Sequence, residues 1–201
     1  MRPRIALVGV VAAVGLLLAG CSSSGDSLTN YGNQTNGSSS SFTDDSGQPV
    51  LVKQSDRKAA LDFTSKTEDG SPLTLSDYRG KVVVVNFWYS SCAPCRQEAP
   101  ILQGIYSTHQ DRGVAFVGVN TVDQAATAIS FEKSHKITYP SVLDVNIGTA
   151  AIAFHGAVAP SVVPVTFVLD KKGRIAARIL GVLQSKSILD TLITDTLAEK
   201  N

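Results

Sequence analysis

"NFWYSSCAPCRQEAP", residues 86–100, joins the end of an apolar run to two cysteines separated by two residues, with Pro94 between them and Glu98 just beyond. The run upstream, "KVVVVNFW" (81–88), lies between Gly80 and Ser90 and has the continuous hydrophobicity of a strand buried on both faces. Downstream, "CRQEAPILQGIYSTHQ" (95–110) is helical in pattern. Cys92 therefore falls in the first turn of a helix, where unpaired backbone N–H groups favour an anion and so favour the thiolate. Cys95 follows on the same face one turn deeper, within reach for a small disulfide ring, and Pro94 suits a first turn whose N–H would be unpaired anyway. Two thiols placed this way fit disulfide exchange, in which Cys92 attacks, a mixed disulfide forms, and Cys95 resolves it.

Other uses of the spacing fit less well. A structural zinc site needs four ligands, but there is no second Cys-x-x-Cys, and His109, His135 and His155 are dispersed. Covalent haem attachment needs His after the second cysteine, where Arg96 stands. A peroxiredoxin-type peroxidase would place Pro seven residues and Thr or Ser three residues before its reactive cysteine, and Val85 and Tyr89 occupy those positions. A purely structural bridge over so short a loop would stabilise little. No metal and no cofactor are expected.

The chain has 201 residues, 43% hydrophobic and 17% charged, with a formal net charge of +1. Its Lys and Arg residues are scattered, which leaves no electrostatic footprint for nucleic acid. Residues 1–20, a basic "MRPR" followed by an apolar stretch, read as a signal peptide ending at Cys21. Leu18-Ala19-Gly20-Cys21 resembles the lipobox of bacterial lipoproteins, which implies lipid on the Cys21 thiol; the alternative is a short membrane-spanning helix, although the run falls below the roughly 20 residues a span needs. Either reading puts the remainder outside the cytoplasm and tethers it to the cell membrane. With Cys21 lipidated, Cys92 and Cys95 are the two remaining thiols of the chain. Residues 21–50 are rich in Ser, Gly, Asn and Thr and read as a flexible linker, spanning roughly 25 to 30 Å as a coil.

Residues 51–201 read as one domain. Leu61 and Phe63, an Asp-Gly turn, then Leu73 and Leu75 suggest an N-terminal β-hairpin. After the cysteine helix, "VAFVGVN" (114–120) is a second buried strand, and "DQAATAISFEKSHK" (123–136) a second helix with Asp123 as its cap. "PSVLD" (140–144) is extended, "IGTAAIAFHG" (147–156) a short helix, "VTFVLDKKGRIAARILG" (165–181) a hairpin, and "SKSILDTLITDTLAE" (185–199) a closing amphipathic helix. Strands alternating with helices and ending in a hairpin give an α/β fold: a mixed central sheet flanked by helices, its site where strands end and helices begin.

"LSDYRGKVVVVNFWYSSCAPCRQEAP" (75–100) and "VVPVTFVLDKKGRI" (162–175) resemble the membrane-anchored, extracytoplasmic thioredoxin-like proteins, the group of the ResA, TlpA and cytochrome c maturation thiol oxidoreductases. The resemblance implies a thioredoxin-like fold and a redox-active Cys92–Cys95 pair. It implies a cis Pro164 against that pair, Val163 offering its backbone to an extended substrate, and a partner-contacting surface that also includes Trp88, Ala93 and Pro94. Thioredoxins carry Asp in the strand before the motif, where this chain has Asn86, which cannot take a proton; Glu98 matches an acidic position of the ResA-like branch and is expected to tune the thiols and move the proton. Ser91 stands where Trp often precedes the first cysteine, and residues 155–163 form a longer approach to Pro164 than the family's usual one. The implied partners are dithiols and disulfides of exported proteins, for example apocytochrome c, and a membrane thiol that donates or accepts electrons; a monomer is expected. An oxidase that inserts disulfides and a non-redox peptide-binding lipoprotein remain open at this point.

Overall fold

A computed structural model describes residues 48–157 and 162–200. The two uniformly apolar runs form the centre. Strands Val82–Trp88 (β4) and Val114–Asn120 (β5), buried along their whole length, pair in parallel from Val82↔Val114 to Trp88↔Asn120. A parallel pair needs a crossover, and helix Ala93–His109 (α1) supplies it. Helix Ala125–His135 (α2) then leads to the short strand Ser141–Leu143 (β6), parallel to β5. Strands Val165–Leu169 (β7) and Ile175–Leu180 (β8) form the expected antiparallel hairpin. Gly173 takes a φ of +80° in its turn, and the Asp170 carboxylate accepts from the N–H groups of Lys172 and Arg174.

Strand Pro49–Leu51 (β1) pairs antiparallel with β8 and completes a six-stranded sheet in the order β1-β8-β7-β4-β5-β6. The sheet thus draws in residues 49 and 50, which the sequence places in the linker, because backbone pairing along an open edge asks little of the side chains. The predicted hairpin forms a separate two-stranded sheet, Thr64–Lys66 (β2) with Pro72–Thr74 (β3). Helix Lys186–Ala198 (α4) closes the chain, its first turn capped by the Ser185 hydroxyl, which accepts from Ser187 N–H. Residues 1–47 and 158–161, including Cys21 and most of the proposed linker, lie outside the described residues.

The two faces of β4 bury different partners. Val83, Val85 and Phe87 meet Phe63, Leu73 and Leu75 of the hairpin region, together with Phe154, which follows the short helix Thr149–Ala153 (α3), and Phe167 of β7. Val82 and Val84 meet Leu102 and Ile105 of α1 and Leu189, Leu192 and Ile193 of α4. A third cluster at the C-terminal end of β4 joins Trp88, Cys92, Cys95 and Ala99 to Ala128 and Phe131 of α2. The sheet is therefore set so that a strand buried along its whole length ends at the cysteines.

Gly118 in β5 is required by close approach: a Cβ there would stand 2.2 Å from Ser141 Oγ and 2.9 Å from Trp88 Nε1. Gly118→Ala is expected to cost about 1–3 kcal/mol, the usual range for overpacking a tight interior, read as a lower urea midpoint at unchanged slope.

Candidate active site

The chain leaves β4 through Tyr89–Ser91 into α1, and this turn is braced from below. Asp123 accepts from Ser90 N–H (2.6 Å), Ser90 Oγ (2.7 Å) and Asn120 Nδ2 (2.8 Å). Asp123 is therefore a clamp on the loop before the cysteines and not the cap of α2, whose N-cap is Gln124. Three donors within reach of one carboxylate outweigh a single cap bond.

Cys92 is the N-cap of α1, and its Sγ accepts from Cys95 N–H at 3.1 Å. Ala93 and Pro94 form the first turn, where Ala93 is exposed and Pro94 half-buried. Cys92 and Cys95 are joined by a disulfide, with Cα atoms 5.3 Å apart. Both are nearly enclosed, at 4% and 2% exposure. A thiolate at Cys92 Sγ would receive the same N–H bond at the positive end of the helix, which is the arrangement an attacking sulfur needs.

The Val163–Pro164 peptide bond is cis, as the resemblance implies, and Val163 packs against the cluster containing both cysteines and Trp88. Trp88 departs from its expected place on the partner-contacting surface. It is 4% exposed and lies against Phe131 with ring centroids 4.5 Å apart, so it supports the cysteine pair from within. Of residues 155–163, those at 158–161 lie outside the described residues.

Glu98 is 1% exposed, on the inner face of α1 one turn beyond Cys95. Asn86 Nδ2 donates to its Oε1 at 2.8 Å and to Thr166 Oγ1 of β7 at 3.1 Å, and Leu183 N–H donates to its Oε2 at 3.2 Å. Burial pushes the Glu98 carboxyl up to about 7, against the downward pull of those two donors. Asn86 thus cannot take a proton, but it holds a carboxyl that exchanges one near neutral pH. Leu183 and Thr166 carry no signal in the sequence, because their part is played by a main-chain N–H and by register across the sheet.

Beside Cys95 lies a small, partly open cavity of about 10 Å³ that Asn86, Trp88, Phe131, Glu132, Tyr139 and Ser141 also line. Sequence reading missed Glu132, although it shares the buried face of α2 with Ala128 and Phe131 at helical spacing. A charged residue on an apolar stripe was the available signal. Among the described residues, no group of three or more His, Cys, Asp or Glu side chains is placed to hold a metal ion.

Residues 57–178 match the model of the AhpC/TSA family. The thiol-disulfide oxidoreductase ResA of Geobacillus thermodenitrificans is 33% identical over 129 residues, covering 64% of this chain and 71% of that protein. Among solved structures, a DsbF homologue from Corynebacterium diphtheriae superposes with a TM-score of 0.66 at 34% identity, over 73% of this chain and 92% of that one. A secreted thiol-disulfide isomerase from Corynebacterium glutamicum gives a TM-score of 0.69 at 32% identity, over 81% of this chain and all of that one. With a disulfide-bonded Cys-x-x-Cys at the head of α1 in a thioredoxin-like fold, the chain belongs to the AhpC/TSA family and, within it, to the ResA-like thiol-disulfide oxidoreductases.

Proposed function

We infer that the protein is a lipid-anchored, extracytoplasmic reductant of disulfides in exported proteins, with apocytochrome c as the representative substrate. Cys92 attacks the substrate disulfide, Cys95 resolves the mixed disulfide, and Glu98 tunes the pair. Val163 offers its backbone to an extended substrate segment beside Pro164, and Ala93 and Pro94 form the adjoining contact surface. A membrane thiol returns electrons to the oxidised pair, and the protein works as a monomer.

The observation that carries the direction of electron flow is the buried carboxyl of Glu98 one turn from Cys95. Negative charge there disfavours a second negative charge on sulfur, so it raises the energy of the thiolate form relative to the disulfide and makes the dithiol the better electron donor. A secreted relative of known structure supports the location outside the cytoplasm. The test is the redox state in growing cells: rapid acid quenching and alkylation should find Cys92 and Cys95 mainly as the dithiol. A pair held mainly as the disulfide would assign the protein to disulfide insertion instead.

Anchoring is tested separately, at the cysteine that ends the signal-like segment. Cys21→Ala should abolish incorporation of a radiolabelled lipid precursor and release essentially all of the protein from the membrane fraction. Label retained in that variant contradicts the anchor.

A further inference from the structure

The cavity under Cys95 has a second acidic wall that the exchange chemistry described above leaves unused. Glu132 of α2 is 7% exposed and Ser141 of β6 is fully buried, and both line the cavity with Cys95. Glu132 Oε1, Ser141 Oγ and Glu68 Oε2 are buried without a hydrogen-bond partner among the described residues. Unpartnered polar atoms in an interior are costly and call for a reason. Glu68 reaches this corner because the bridge Thr67↔Val142 fastens the end of β2 to the edge strand β6. The space itself, about 10 Å³, is that of a single water molecule, for which Glu132 and Ser141 are suitable partners.

We propose that Glu132 is the proton acceptor and donor for Cys95, acting through one water in this cavity. In the resolving step the Cys95 thiol passes its proton through the water to the Glu132 carboxylate. The resulting thiolate attacks Cys92 Sγ of the mixed disulfide, the Cys92–partner S–S bond breaks as the Cys92–Cys95 bond forms, and the electron pair leaves on the partner sulfur, which takes a proton from solvent. In the reverse direction Cys95 leaves as thiolate and is protonated by the same carboxyl.

The electrostatics fit the role. Burial pushes the Glu132 carboxyl up to about 7, and the Glu68 carboxyl beside it pushes further up. The groups around it are Glu68 from the hairpin turn, Tyr139 and Ser141 around β6, and Cys95 of α1 across the cavity. Tyr139 is raised by burial and then by the charges of Glu98 and Glu132, which keeps it a neutral phenol. Glu98 has a donor on each carboxylate oxygen, whereas Glu132 keeps Oε1 open towards the cavity it shares with Cys95.

This inference rests on Cys92 attacking and Cys95 resolving, and the experiment separates the two claims. Reduced full-length protein is mixed with glutathione disulfide from pH 5.5 to 9, and the Cys92–glutathione adduct is followed by acid quench and mass spectrometry. In the unmutated protein the decay of the adduct should rise through a step near pH 7 to a plateau. In Glu132→Gln the adduct should accumulate, decaying on the order of 100-fold more slowly at pH 7, with a rate that climbs in proportion to hydroxide and has no plateau. Glu68→Gln, at a position that is only half-buried, should move the step to lower pH by removing the like charge, and it decides the matter should Glu132→Gln fail to fold. An unchanged profile in Glu132→Gln, an unmoved midpoint in Glu68→Gln, or loss of the step in Glu98→Gln but not in Glu132→Gln overturns the relay. Failure of the unmutated protein to form an adduct at Cys92 overturns the exchange assignment instead.

Discussion

Cells producing the Cys95→Ser variant should accumulate covalent, dithiothreitol-sensitive complexes between Cys92 and exported proteins, whereas Cys92→Ser cells should accumulate none. The asymmetry follows from the head of α1. Cys92 Sγ already receives the Cys95 N–H at 3.1 Å, and the thiolate formed on reduction keeps that bond at the positive end of the helix. Cys92 and Cys95 share the third core cluster at 4% and 2% exposure, so it is the place at the helix head, and not burial, that distinguishes them. Losing the attacking thiol should lower disulfide-reductase turnover by at least about 1000-fold, the scale of losing a covalent nucleophile. Losing the resolving thiol should lower turnover comparably while leaving the first, adduct-forming step near its original rate. Non-reducing gels and mass spectrometry of the complexes check this. Complexes formed through Cys95 in the Cys92→Ser protein would reverse the roles.

Glu98→Gln should change both stability and redox poise, and the two changes have a common origin. The Glu98 carboxyl binds its proton more tightly in the folded chain, at about 7, than at its ordinary value of 4.5. Its contribution to stability is therefore fully present below pH 4.5 and is lost as the pH rises through 7, because ionisation in the interior is penalised and ionisation in the unfolded chain is not. On the order of 3 kcal/mol of unfolding free energy is involved. Glutamine keeps the size and removes the charge, so the difference between pH 8 and pH 4 should shrink by up to that amount in urea titrations. The thiolate should form at lower pH, and the couple should become more oxidising by about 30 mV or more, equivalent to roughly 1.4 kcal/mol. Superimposable stability–pH curves and superimposable alkylation–pH curves for the two proteins would leave Glu98 an ordinary interior residue.

The sequence foretold the elements that are governed by local chemistry. "KVVVVNFW" can satisfy its apolar side chains only inside a sheet, and the cysteines follow its end, so the place of the pair at a strand–helix junction was legible, as was the hairpin turn around Gly173. The cis state of Pro164 came from the resemblance and not from periodicity. What escaped reading depends on long-range geometry. Pro49–Leu51 joins β8 through backbone pairing that its own residues do not encode. Asp123 looks like a cap because it precedes a helix, but the loop at Ser90 offers it two donors from a segment 33 residues away. The resemblance places Trp88 on the partner-contacting surface, whereas β4, buried on both faces, packs it against Phe131 of the second helix. The Glu98–Asn86–Thr166 chain needs the register Asn86↔Thr166 across β4 and β7, which only the folded sheet supplies.

The central claim, that Cys92 and Cys95 form a reversible couple poised to reduce exported disulfides, is tested most directly by its reduction potential. Full-length protein equilibrated at pH 7 against dithiothreitol and glutathione buffers should titrate as a single two-electron couple, tenfold in ratio per about 30 mV, with a potential below about −200 mV, on the reducing side where thioredoxin lies. A potential near −120 mV, the region of strong disulfide-inserting oxidants, or a pair that does not exchange with either buffer, would contradict it.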